Sequence, residues 1–152
     1  MPRSPVVEVP DAQAMRALGA STASRLRAGD IVLLVGPLGA GKTTFVQGVA
    51  QGLDVVGAVT SPTFVIAREH ASRGVGPALV HVDAYRIGGV AELDDLDLDA
   101  SLRDAITVVE WGEGLIENLD AELVRVHIAR DQNALAESEV RLVTLEWPEG
   151  RP

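Results

Sequence analysis

Ile31-Val32-Leu33-Leu34-Val35-Gly36-Pro37-Leu38-Gly39-Ala40-Gly41-Lys42-Thr43 is the stretch on which the reading of this chain turns. Residues 31–35 are an unbroken apolar run, the pattern of a strand covered on both faces. Residues 36–43 then match G-x-x-x-x-G-K-[ST] at every defined position. Glycines there let backbone N–H groups converge on one point and come close to phosphate oxygens. Phe45, Val46, Val49 and Leu53 follow at helical spacing, so a helix starts near Gly41 and runs to about Gln51, with Gly52 near its end. The positive end of that helix faces the loop. Lys42 is placed to reach β- and γ-phosphates, and the Thr43 hydroxyl to ligate Mg²⁺. A chance glycine-rich turn has no reason to sit between an apolar strand and an amphipathic helix.

Outward from this centre, Val6–Val9 reads as a first strand. Asp11 can cap a helix to about Ala28, with Ala14, Leu18, Thr22 and Leu26 on one face. Residues 63–69 and 79–84 read as strands joined by the Gly/Ser-rich loop 71–77, a hairpin. Residues 90–105 are acidic and suit two short helical pieces. Residues 106–110, 123–129 and 140–145 read as three more strands, with 131–136 linking the last two. The order is α/β with some antiparallel pairing and no domain boundary, so residues 1–152 are read as one domain.

Composition narrows the function. The 152 residues are 47% hydrophobic, enough for a packed core. There is no cysteine, which removes disulfides and thiolate metal sites and makes a reducing cytoplasm the default. No apolar stretch resembles a signal peptide or could span a bilayer, so no membrane role is expected. Thirteen basic and 22 acidic residues leave a net charge of −9, which opposes direct binding of a polynucleotide. The single lysine is Lys42. In a chain that otherwise uses arginine, this suggests a role arginine cannot fill.

A phosphate cradle needs a carboxylate near Mg²⁺ at the end of a neighbouring strand. Asp83 ends Leu79-Val80-His81-Val82, and Glu110 ends Ile106-Thr107-Val108-Val109. Both are candidates. His81 shares a strand face with Asp83 and either orders the site or packs in the core. Trp111 either lines the nucleotide site or fills the core edge. Asp95–Asp99 lacks the glycine and glutamate of a calcium loop, since Ala100 and Ile106 stand there. The acidic stretch 92–104 is better read as a solvated or partner-facing surface.

Four motifs in series carry a resemblance: Gly36–Thr44, Ser61-Pro62-Thr63-Phe64, His81-Val82-Asp83-Ala84-Tyr85-Arg86 and Val109-Glu110-Trp111. Together they resemble the bacterial TsaE (YjeE) family over about residues 11–128. The resemblance implies a P-loop NTPase-type three-layer sandwich with a mixed, mostly parallel central sheet. It implies weak, Mg²⁺-dependent ATP hydrolysis in service of tRNA threonylcarbamoyladenosine synthesis. The partners it implies are two tRNA-modifying subunits, a threonylcarbamoyl transferase and its paralogue, with tRNA met only indirectly. By position, residues Gly36, Pro37, Leu38, Gly39, Ala40, Gly41, Lys42, Thr43 and Thr44 would hold ATP, with Trp111 close by. Thr43 and Glu110 would hold Mg²⁺, Asp83 would act as a catalytic acid or behind the metal, and Thr63 would lie in a nucleotide-sensing switch. The chain departs from many members at Pro37, where an acid is common, and at Asp97, where glycine is. Pro37 also removes one backbone N–H from the loop.

Other classes fit less well. A small-molecule kinase usually carries an arginine-rich lid, whereas Arg68, Arg73 and Arg86 are scattered. A GTPase needs a second lysine for guanine recognition, and none exists. A nucleotide-gated subunit without hydrolysis differs from the leading reading in that one respect.

Overall fold

The structure is a computed structural model, and it describes residues 5–37, 39–57, 59, 67–83, 104–111, 123–130 and 139–148, without the side chain of Asp83. Seven strands and two helices are seen among these residues. In order they are β1 (Val6–Val9), α1 (Ala12–Ala23), β2 (Ile31–Val35), α2 (Lys42–Leu53), β3 (Ala67–His70), β4 (Ala78–Asp83), β5 (Ala105–Glu110), β6 (Leu123–Arg130) and β7 (Arg141–Glu146). They form one sheet in the order β1-β7-β6-β2-β5-β4-β3. The central strands β6, β2, β5 and β4 are parallel neighbours. β7 and β3 run against them, and β1 pairs antiparallel with β7. This is the mixed, mostly parallel sheet expected, including the β3–β4 hairpin.

The centre of the sheet follows from composition. All six residues of β5 and the first four of β2 are buried. A strand without an exposed face is mostly apolar, which is why neither alternates; Thr107 and the strand-end Glu110 are the polar residues of β5. β6 does alternate, with Val124, Val126 and Ile128 inward.

The Asp11 carboxylate caps α1 by accepting from Ala14 N at 2.8 Å. Such a cap typically contributes ~1 kcal/mol. The helix stops at Ala23, not near Ala28. Asp30 Oδ2 accepts from Arg27 N at 2.9 Å and draws that segment into a turn before β2. The inward stripe is also rotated by about a residue from the expected one, to Met15, Gly19, Thr22 and Ala23, with Ala14 and Leu18 half-buried. Glycine explains the rotation. A Cβ on Gly19 would lie 2.3 Å from Phe45 O, and one on Gly48 would lie 2.1 Å from Arg16 O. The two helices therefore meet backbone to backbone. Gly52, near the end of α2 as expected, belongs to this contact and faces Ala20 and Ala23, while the helix itself ends at Leu53. Asp54 caps that end, in the left-handed conformation at φ 54°.

Strand ends differ from expectation by a residue or so, and Ala105 opens β5 where the acidic helical stretch was expected to end. The rest of that stretch, the 131–136 link and the start of the 63–69 strand lie outside the described residues.

Candidate nucleotide site

The cradle joins β2 to α2. Gly36 lies against β6, where a Cβ would come within 2.6 Å of Ile128 O. Gly39 and Gly41 take φ of 78° and 106°, left-handed conformations that side chains resist. Ala40 N–H donates to Pro37 O at 3.1 Å and closes the turn between them. Pro37 thus contributes through its carbonyl, and its missing N–H is not needed for that bond. Gly41 is the N-cap of α2 and offers no side-chain cap. The opening N–H groups of the helix face the loop end without one, as an anion site requires.

Lys42 is buried, and its ammonium donates to Gly36 O at 2.8 Å. The same Nζ lies 3.4 Å from the centre of the Trp111 ring. Trp111 has φ 60°, a conformation that bulky residues seldom adopt. The Trp111 ring thus lies against the cradle lysine.

β5 brings the acid. In register, Glu110 stands beside Leu34, two residues before Gly36, and Asp83 stands beside Glu110 on the next strand. Glu110 is buried, and its Oε2 meets His81 Nε2 at 2.5 Å. His81 is thus a partner of the acid and not merely a packed core residue. Its Nδ1 has no partner among the described residues. Groups of three or more His, Cys, Asp or Glu able to hold a metal are absent among the described residues. Mg²⁺ does not need one, since it keeps several waters and takes one or two carboxylates plus substrate phosphates. Glu110 and the Thr43 hydroxyl fit that donor set.

Two arginines that the sequence did not single out also reach the loop. Arg141 Nε donates to Ala40 O at 3.2 Å, and Arg130 Nη2 comes within 3.5 Å of Gly39 O. No local motif marks them, because the strand pairing that brings them to the loop is long-range. Leu38, the Ser61–Phe64 segment with Thr63, and Tyr85-Arg86 lie outside the described residues. An open cleft of about 590 Å³ lined by Arg16, Gln47, Asp54, Val59 and Arg73 lies elsewhere, with no described cradle residue in its wall.

A profile of the family described as "Threonylcarbamoyl adenosine biosynthesis protein TsaE" matches residues 9–140. This chain belongs to the TsaE family. It is 59% identical over 132 residues to the tRNA threonylcarbamoyladenosine biosynthesis protein TsaE of Streptomyces coelicolor, covering 86% of this chain and 88% of that one. The protein of the same name from Mycobacterium tuberculosis is 48% identical over 137 residues, 86% of this chain and 79% of that one. A crystal structure of YdiB from Bacillus subtilis superposes with a TM-score of 0.74 at 30% identity, covering 99% of this chain and 90% of that one. The TsaE-family fold is therefore the P-loop fold that the motif at residues 36–43 requires. No described helix is long and apolar enough to cross a membrane.

Proposed function

We propose that this TsaE-family chain is a single P-loop ATPase domain over residues 1–152 that binds and hydrolyses ATP for tRNA threonylcarbamoylation. It acts in the cytoplasm with two partner subunits, a threonylcarbamoyl transferase and its paralogue, to modify the adenosine next to the anticodon. The observation that carries this reading is the placement of Glu110 beside the strand that feeds the Lys42 cradle.

The roles follow from chemistry. Backbone N–H groups within residues 36–44 take the phosphates, apart from Pro37, which has none, and Ala40, whose N–H closes the turn to Pro37 O, and Lys42 exchanges Gly36 O for phosphate oxygens. Thr43 and Glu110 hold Mg²⁺, which when bound neutralises charge on the β- and γ-phosphates. His81 holds Glu110 in place. Asp83 orients the attacking water or the metal's own waters. Thr63 senses the γ-phosphate. Trp111 leaves Lys42 when phosphate arrives and stays near the nucleotide. A net charge of −9 keeps this chain off tRNA, so the partners hold the nucleic acid. Coupling between ATP and partners is then reciprocal: each strengthens the other's binding by the same factor.

The test is capture of partners from a lysate with and without ATP, then turnover with the purified subunits. ATP-dependent recovery of tRNA-modifying subunits and faster turnover are expected. Unchanged turnover and ATP affinity on adding the subunits would remove the role while leaving the cradle.

A further inference from the structure

β6 and β7 approach the cradle from the side of β2 opposite Glu110. Arg130 closes β6, Arg141 opens β7, and the two stand opposite each other in register. Arg141 makes a fork onto the loop, from Nε to Ala40 O at 3.2 Å and from Nη2 to Gly39 O at 3.5 Å. Its Nη1 donates to Val140 O at 3.0 Å, which anchors the guanidinium to its own strand. Arg130 Nη2 reaches the same Gly39 O at 3.5 Å. Two strands remote in sequence therefore grip consecutive carbonyls of the loop.

A trans peptide points its C=O and its N–H in opposite directions, and no cis peptide bond occurs among the described residues. The Gly39–Ala40 peptide is tied at both ends, since Ala40 N–H already donates to Pro37 O. The Ala40–Gly41 peptide is tied at its carbonyl by Arg141. Glycine at position 41 leaves that peptide free to rotate unless something holds it. A cationic donor on Ala40 O holds it with Gly41 N–H turned away from Arg141. It also polarises the peptide and strengthens its N–H as a donor.

We infer that Arg141, assisted by Arg130, is a positioning residue of the phosphate cradle: it fixes the Ala40–Gly41 peptide so that Gly41 N–H faces a bound polyphosphate. This rests on the nucleotide-binding reading above. Arg141 acts on the ligand through the backbone and does not touch it.

The test uses ¹⁵N-labelled full-length protein titrated with ADP, following the Gly41 amide resonance and the affinity together. The wild type is measured first. Failure of the wild type to bind ADP overturns the nucleotide reading and this inference with it, before any variant is made. With binding in hand, the Gly41 proton should move downfield on adding ADP. Arg141→Ala should lose most of that movement and bind ADP about tenfold more weakly, the effect of one charge-assisted hydrogen bond. Arg141→Lys should remain weakened, because an ammonium cannot reproduce the fork. If Arg141→Ala does not fold, Arg141→Lys and Arg130→Ala carry the test through the same resonance. An unchanged Gly41 shift and affinity in the variants overturns the inference. Weaker binding with the Gly41 shift intact also overturns it, since Arg141 would then be contacting the nucleotide itself.

Discussion

On the β5 side of β2, the cradle meets Glu110, its partner His81, and Trp111 against Lys42. On the β6 side it meets Arg130 and Arg141, which hold backbone carbonyls. On the first flank Glu110 and His81 are buried and ionisable, and each depends on the other. The second is built from cations at the ends of strands, and what it contributes is shape. On the proposed function, the phosphate site draws chemistry from one flank and geometry from the other, and the two should fail differently.

The sharpest break is Lys42→Ala. It removes the one lysine of the chain and should abolish hydrolysis in a phosphate-release assay. Retained turnover would show that neither flank serves this loop. Next, Glu110→Ala should cut Mg²⁺-dependent turnover by about a hundredfold, the usual scale for a lost preorganised group. Asp83→Asn should lower turnover more than ATP affinity. Normal hydrolysis in both would take β4 and β5 out of the site. On the same flank, His81→Ala leaves a buried carboxylate without its partner. Urea unfolding should show a loss of about 3 kcal/mol. The opposite flank should respond least: Arg130→Ala should weaken ADP binding only about twofold, because a 3.5 Å contact is at the limit of a hydrogen bond. A larger loss there than at Glu110 would reverse the comparison.

The two flanks also differ in how far the sequence discloses them. The cradle is legible because its conformation needs glycines and one lysine at fixed local spacing. Glu110 is legible because an acid ending an apolar strand is itself a local pattern. His81 stood open between two roles, since its pairing with Glu110 depends on the β4–β5 register. Arg130 and Arg141 were invisible for the same reason, as ordinary charged residues at strand ends. The helices show the same limit. Apolar spacing found α1 and part of its inward face, with Thr22 and Leu26 buried, but not Gly19, a residue with no side chain that is the point of closest approach to α2.

The most direct measurement is a titration of the isolated protein with ATP and Mg²⁺, read by tryptophan fluorescence. Trp111 lies on Lys42, so displacement of that lysine by phosphate should change its emission. Trp147, stacked under Arg25 and remote in sequence, supplies a background to subtract in a Trp147→Phe variant. The expected result is a saturable, Mg²⁺-dependent change for one site, lost in Lys42→Ala. Indistinguishable titrations of wild type and Lys42→Ala, or no binding in either, would contradict the nucleotide site on which the proposed function stands.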